Sequence, residues 1–199
     1  MSVDVLVVGI GGQGVMTAAE AIARAALAAG FDATKTEVSG MSQRGGLVCS
    51  QVRIGERVEA SEIRPGTAQL LIAFEAAEGL RWSHYLAPKG CALLDPWRAV
   101  PPVVSSGIHE YPVNPAATLR TAGRQVQEID ARSIAERFGD ARLANSVMLG
   151  AAAASLPFSA GVLRDEVLRR FSENPQLAGK NARAFDAGHE LTATPAAAA

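Results

Sequence analysis

The chain has 199 residues, 48% of them hydrophobic, with 19 lysines and arginines against 20 aspartates and glutamates and a formal charge of -1. That length suits one well-packed domain, and the balanced charge lacks the basic footprint of a DNA- or RNA-binding protein. No apolar run approaches the roughly 20 residues that cross a bilayer, and the first strand begins close to Met1, so neither a signal peptide nor a membrane anchor is expected and the protein is expected in the cytoplasm.

Val3 to Val8 is a short apolar run of the buried parallel-strand kind, and Val15 to Ala29 reads as a helix ended by Gly30. Further strands are predicted at Asp32 to Val38, Leu47 to Ile54, Gln69 to Phe74, Cys91 to Leu94 and Gln125 to Ile129. Helical patterns follow Glu75 and cover Ser133 to Phe138, Asn145 to Ser155, Ala160 to Phe171 and Gln176 to Leu191. Alternation of this kind predicts an α/β, Rossmann-like fold, a mostly parallel sheet with helices on both faces. The proline-rich stretch from Asp95 to Pro115 fits either an inserted hairpin or a loop lying over the sheet. A single domain over residues 1–192 is expected, with 193–199 a disordered tail. Cys49 and Cys91 lie far apart inside apolar runs and read as buried, reduced thiols.

The stretch Gly9-Ile10-Gly11-Gly12-Gln13-Gly14 satisfies G-x-G-x-x-G directly after a strand and before a helix. Glycines there permit a tight turn and bring backbone N–H groups to an anion at the positive end of the helix. A nicotinamide or flavin site also needs an acidic residue at the end of the second strand for the ribose hydroxyls. Asp32 has the spacing but begins its strand, and Glu37 lies rather far along. A P-loop is excluded more firmly, because Val15 and Met16 stand where it needs Lys and Ser or Thr. A pyrophosphate-bearing ligand remains, with no evidence for hydride transfer.

No catalytic residue and no metal site is assigned. His84, His109 and His189 are isolated, and Ser42 lacks the glycine frame of a nucleophile elbow. Glu75 follows an apolar strand at the carboxyl end of the sheet, where ligands bind in open α/β folds, yet a carboxylate in the first turn of the next helix is the plainer role. Arg44-Gly45-Gly46 joins two strands in a compact turn that leaves the guanidinium exposed.

Taken together, "GIGGQGVMTAAEAIARAALAAG", "TEVSGMSQRGGLVCSQVRIG", "LLIAFEAAEGLR", "ANSVMLGA" and "ENPQLAGKNARAFDAG" resemble the γ-type subunit of the 2-oxoacid:acceptor oxidoreductases that use thiamine diphosphate. The "GMSQRGG" form places the likeness nearest the small β subunit of indolepyruvate:ferredoxin oxidoreductase.

The resemblance implies a Rossmann-like domain that contributes to coenzyme A binding for oxidative decarboxylation to an acyl-CoA. A large partner subunit would hold thiamine diphosphate, magnesium and the iron-sulfur clusters, and electrons would leave to ferredoxin or another acceptor. By carry-over, Gly9, Gly11, Gly12, Gln13 and Gly14 form the CoA loop, and Arg44, Gly45 and Gly46 lie near the ligand or the partner's active-site mouth. Two cysteines cannot ligate a four-cysteine cluster, which agrees with clusters in the partner. The alternatives are a stand-alone NAD- or flavin-binding oxidoreductase and a non-catalytic nucleotide-binding regulator.

Overall fold

The computed structural model describes residues 2–39, 46–99 and 110–193. In chain order the elements are β1 (Val3–Ile10), α1 (Val15–Ala28), β2 (Asp32–Ser39), β3 (Leu47–Gly55), β4 (Ala68–Ala73), α2 (Ala76–Trp82), β5 (Leu86–Leu94), α3 (Pro115–Thr121), β6 (Gln125–Glu128), α4 (Ala131–Glu136), α5 (Ala144–Ala152), α6 (Ala160–Arg169) and α7 (Pro175–Ala193). Among the described residues no helix is long and apolar enough to cross a membrane.

One six-stranded sheet has the order β2-β3-β1-β4-β5-β6. β1, β4, β5 and β6 run parallel, whereas β3 pairs antiparallel with both β1 and β2. The expected α/β class and mostly parallel sheet are found, and the hairpin β2–β3 makes the sheet mixed. β3, not β2, is the neighbour of β1.

β1 is buried on both faces, as its unbroken valine and leucine run requires. Val5 and Val7 join a core shared with α1, α5, α6 and α7, while Leu6 and Val8 join a second core with Leu71, Leu86 and Leu119 under α2 and α3. Each such side chain taken fully out of water contributes roughly 1.5–3 kcal/mol. In α1 the buried Val15, Ala18, Ala19, Ile22, Ala25 and Ala26 recur at helical spacing, and the small alanines let the helix lie close on the sheet. Beyond Ala28 the amide of Phe31 reaches back to the Ala26 carbonyl around Gly30, a Schellman-type stop.

Two elements depart from the sequence reading. β5 begins at Leu86, five residues before the predicted start, with an irregular register where Ala68 pairs with Leu86 and Leu70 with Cys91. The helix α3 went unpredicted, although Asn114 caps it through a bond from the Ala117 amide and Pro115 starts it. Of the proline-rich stretch 95–115, residues 100–109, His109 among them, lie outside the described residues, as do Ser42 and residues 194–199 of the expected tail 193–199, whose first residue, Ala193, ends α7. Cys49 is buried and Cys91 only partly so; burial pushes the Cys49 thiol up to about 12 and raises that of Cys91, so both are poor nucleophiles.

Candidate functional site

The chain breaks from β1 into a turn that is built from both ends of the sequence. Gln13 braces it: its Oε1 accepts from the Ile10 amide at 2.6 Å and its Nε2 donates to the Phe74 carbonyl at 2.6 Å, tying the turn to the end of β4. A Cβ on Gly9 would sit 2.6 Å from Gln13 Oε1, so glycine there is what admits the brace. Gly12 and Gly14 have positive φ, and the amide of Gly11 donates to the carbonyl of Gly46 at 2.9 Å. From α5, Asn145 Nδ2 donates to the carbonyls of Gln13 and Gly14 at 3.2 and 3.0 Å. Those two bonds tie the turn to α5.

α1 opens without a cap. Gly14 at its N-cap has no side chain, and among the described residues no acceptor takes the amides of Val15, Met16 and Thr17. Free amides at the positive end of a 14-residue helix form a site for an anion.

The turn forms one wall of a cleft of about 580 Å³ at the carboxyl ends of β1, β4 and β5. Its other walls include Phe74, Asp95, Trp97, Asn145, Ser146, Asn181 and the guanidinium-bearing Arg132, Arg142 and Arg170. Arg142 is bonded to Asp140, whose carboxyl it draws down to about 2. Arg132 lies 5.4 Å over the Trp97 ring and 3.4 Å from Glu136. Arg170 has no acidic partner among the described residues. Deeper in, Ser146 Oγ donates to Asn181 Oδ1 at 2.6 Å, and Asn181 Nδ2 donates to the Leu177 carbonyl, which fixes that wall. Helix amides and guanidinium groups together suit a ligand with more than one phosphate.

Asp95 is the exception in this cationic setting. It is 3% exposed at the end of β5, and its Oδ1 accepts from the Trp97 amide at 3.0 Å. Burial raises its carboxyl from 3.8 to about 6, with Asp130 adding to the rise and the Trp97 amide and Arg132 opposing it. Because the folded value exceeds the unfolded one, the native state binds the extra proton, and stability falls as pH rises from about 4 through 6. A shift from 3.8 to about 6 corresponds to at most about 3 kcal/mol. Asp95→Asn, which keeps an oxygen for the Trp97 amide, is expected to be more stable than wild type by about 2 kcal/mol at pH 7.5 and equal to it below pH 4. Urea unfolding across pH checks this; equal stability at pH 7.5 would contradict it.

Of the predicted site residues, Gly9, Gly11, Gly12, Gln13, Gly14 and Gly46 come together at the turn. Gln13 spends its side chain on the backbone, so it shapes the turn from within. Arg44 and Gly45 lie outside the described residues. Glu75 is a buried N-cap: its Oε2 accepts from the Glu78 amide at 2.8 Å, and its Oε1 accepts from the Tyr111 hydroxyl and the Ala99 amide. The nucleotide-ribose acids are absent from the site. Asp32 begins β2 and accepts from the Val58 amide, and Glu37 stands two strands away from β1, paired with Lys35 at 2.7 Å. Sequence reasoning missed Asn145, Asp95, Trp97 and the three arginines. Only Asn145 had a signal, as part of "ANSVMLGA".

The geometry can be set beside known proteins. The family described as pyruvate ferredoxin/flavodoxin oxidoreductase matches residues 4–191. The chain is 35% identical over 193 residues to the indolepyruvate oxidoreductase subunit IorB of Archaeoglobus fulgidus, spanning 95% of this chain and 94% of that one. It is likewise 35% identical over 194 residues to IorB of Thermococcus kodakarensis, spanning 93% of each. Among solved structures it is similar to the gamma subunit of a keto/oxoacid ferredoxin oxidoreductase from Geobacter sulfurreducens, with a TM-score of 0.71 and 25% identity over 96% of this chain and 98% of that one. A 2-oxoglutarate:ferredoxin oxidoreductase from Magnetococcus marinus, solved with 2-oxoglutarate, coenzyme A and succinyl-CoA, shares the fold with a TM-score of 0.76 and 22% identity over 96% of this chain and 31% of that one.

Proposed function

Since the chain belongs to the pyruvate ferredoxin/flavodoxin oxidoreductase family, we propose that it is the small subunit of an indolepyruvate-type 2-oxoacid:ferredoxin oxidoreductase, with the cleft beside α1 as its coenzyme A site. The observation that carries this reading is the uncapped start of α1 at the glycine turn, inside a cleft flanked by Arg132, Arg142 and Arg170. Coenzyme A has a pyrophosphate for the helix amides and a further phosphate for the guanidinium groups. Gly9, Gly11, Gly12, Gln13 and Gly14 shape the pyrophosphate turn with Gly46 beside it, and this reading assigns Arg44 and Gly45 to contact with the ligand or the partner. Thiamine diphosphate, magnesium and the iron-sulfur clusters belong in this reading to a large partner subunit, where they supply cleavage of the 2-oxoacid and passage of electrons to ferredoxin or another acceptor. This chain's residues bind the acyl-accepting coenzyme, orient it and screen its phosphate charge.

The isolated chain is expected to give no dye reduction with an arylpyruvate, thiamine diphosphate and CoA, and to support turnover once the large subunit is added. Affinity capture from the native host, followed by identification of a thiamine- and cluster-bearing chain, checks the assembly. Turnover by the purified chain alone would overturn the proposal.

A further inference from the structure

Asn145 stands in the first turn of α5, half-buried, and its side chain bonds not to its own helix but across the chain to the glycine turn. Asparagine is a poor helix former, and a second alanine beside Ala144 would serve α5 better. What asparagine supplies is a donor. Its Nδ2 reaches the Gln13 carbonyl at 3.2 Å and the Gly14 carbonyl at 3.0 Å, and two neighbouring carbonyls accept only from the nitrogen side of the amide. Gly14 is fitted to the same contact, because a Cβ there would lie 2.8 Å from Asn145 Nδ2. The next residue, Ser146, is 3% exposed and bonded to Asn181 of α7, so the base from which Asn145 reaches is itself fixed.

A peptide unit is planar and trans, so its N–H points opposite to its C=O. The Gln13 carbonyl shares its peptide with the Gly14 amide, and the Gly14 carbonyl shares its own with the Val15 amide. Holding both oxygens on Asn145 therefore fixes the direction of both N–H groups, and a carbonyl that accepts a bond polarises its peptide and makes the N–H a stronger donor. Glycines alone would leave these peptides free to rotate, since glycine adopts φ of either sign, as the values of 103° at Gly12 and 79° at Gly14 illustrate. We propose that Asn145 is a positioning residue for coenzyme A, holding the Gly14 and Val15 amides in the direction from which they bind the pyrophosphate. Gln13 secures the turn to β4 and Asn145 secures it to α5, so two side-chain amides restore the rigidity that the glycines forgo. The assignment rests on the coenzyme A reading and adds to it a residue that acts through the turn.

The test is calorimetric titration of the full-length chain with CoA and with dephospho-CoA, which keeps the pyrophosphate and lacks the phosphate on the ribose, together with amide-proton NMR shifts at saturating CoA. Asn145→Ala is expected to weaken both ligands equally, by about tenfold, the scale of a lost hydrogen bond. In wild type CoA is expected to move the Gly14 and Val15 amide protons downfield. In the variant saturated with CoA those two shifts are expected to shrink, while those of Met16 and Thr17, whose peptides are held within α1, persist. Should Asn145→Ala not fold, Asn145→Asp keeps the shape, replaces the donor by an oxygen, and is expected to lose at least as much. Affinity within about twofold of wild type, a loss confined to CoA, or Gly14 and Val15 shifts as large as in wild type would overturn the role of Asn145 and leave coenzyme A binding standing. Failure of wild type to bind CoA would instead overturn the coenzyme A reading, and this role with it.

Discussion

Gly188→Ala is expected to unfold the protein or to remove most of its stability. Gly188 on α7 faces α5 so closely that a Cβ there would lie 1.9 Å from the Val147 carbonyl oxygen and 2.8 Å from its carbon. The contact is reciprocal, because a Cβ on Gly150 of α5 would lie 2.0 Å from the Phe185 carbonyl oxygen. Backbone atoms cannot rotate aside as a side chain would, so the two helices would have to part by more than an ångström. Parting them opens the core around Val147, Met148, Ala184 and Phe185, each at most 1% exposed. A lost close-packed crossing is expected to cost about 4 kcal/mol or more, against a total stability of about 5–15 kcal/mol for a domain of this kind. Circular dichroism and urea titration of Gly188→Ala decide it. A free energy of unfolding within about 1 kcal/mol of wild type would mean that the helices do not cross at this distance.

Exchanging one NH₂ for an oxygen at Gln13 is expected to have the largest effect on the ligand. In Gln13→Glu the acceptor for the Ile10 amide survives, but the donor to the Phe74 carbonyl is replaced by an oxygen that repels it. The turn is then released from β4, and a negative charge enters the turn where phosphate is to bind. CoA affinity should fall by about 100-fold, or about 3 kcal/mol, of which an unsatisfied buried carbonyl accounts for roughly half. Gln13→Met, which loses both bonds but adds no charge, should fall about tenfold. Calorimetry on the folded variants measures both. CoA binding unchanged in Gln13→Glu would remove the glycine turn from the ligand site.

The valine run of β1, the glycines after it and the alanine-rich α1 were legible because each is a local pattern with one physical solution. The place of β3 was not, because periodicity says which segments are strands and not which strands pair. Gln13 illustrates the limit within the motif itself: position x of the turn looks free to face a ligand, and only the position of Phe74, 61 residues on, shows that its amide is already engaged. Asn145 acts across 131 residues and Asp95 looked like the first residue of a proline-rich loop, so their parts in the site follow from tertiary structure alone. α3 was within reach, since Asn114-Pro115 is a cap signal, but its seven residues are too few to show a period.

The position of β1 in the sheet bears on how the chain is made. Val3–Ile10 leaves the ribosome before either neighbour, since β3 begins at Leu47 and β4 at Ala68. Until β3 has been synthesised, a run whose Val5, Val7 and Val8 end at 0% exposure has no strand on either side, and until β4 follows it has one on one side alone. An uncovered segment of that composition is what chaperones bind and what nucleates aggregates when synthesis outruns pairing. Asp4, the one charge in the run, ends buried against Arg53 at 2.9 Å, on the strand that arrives first to cover it. During translation that carboxylate is the segment's gatekeeper, and it becomes an ion pair only when its partner strand has been delivered.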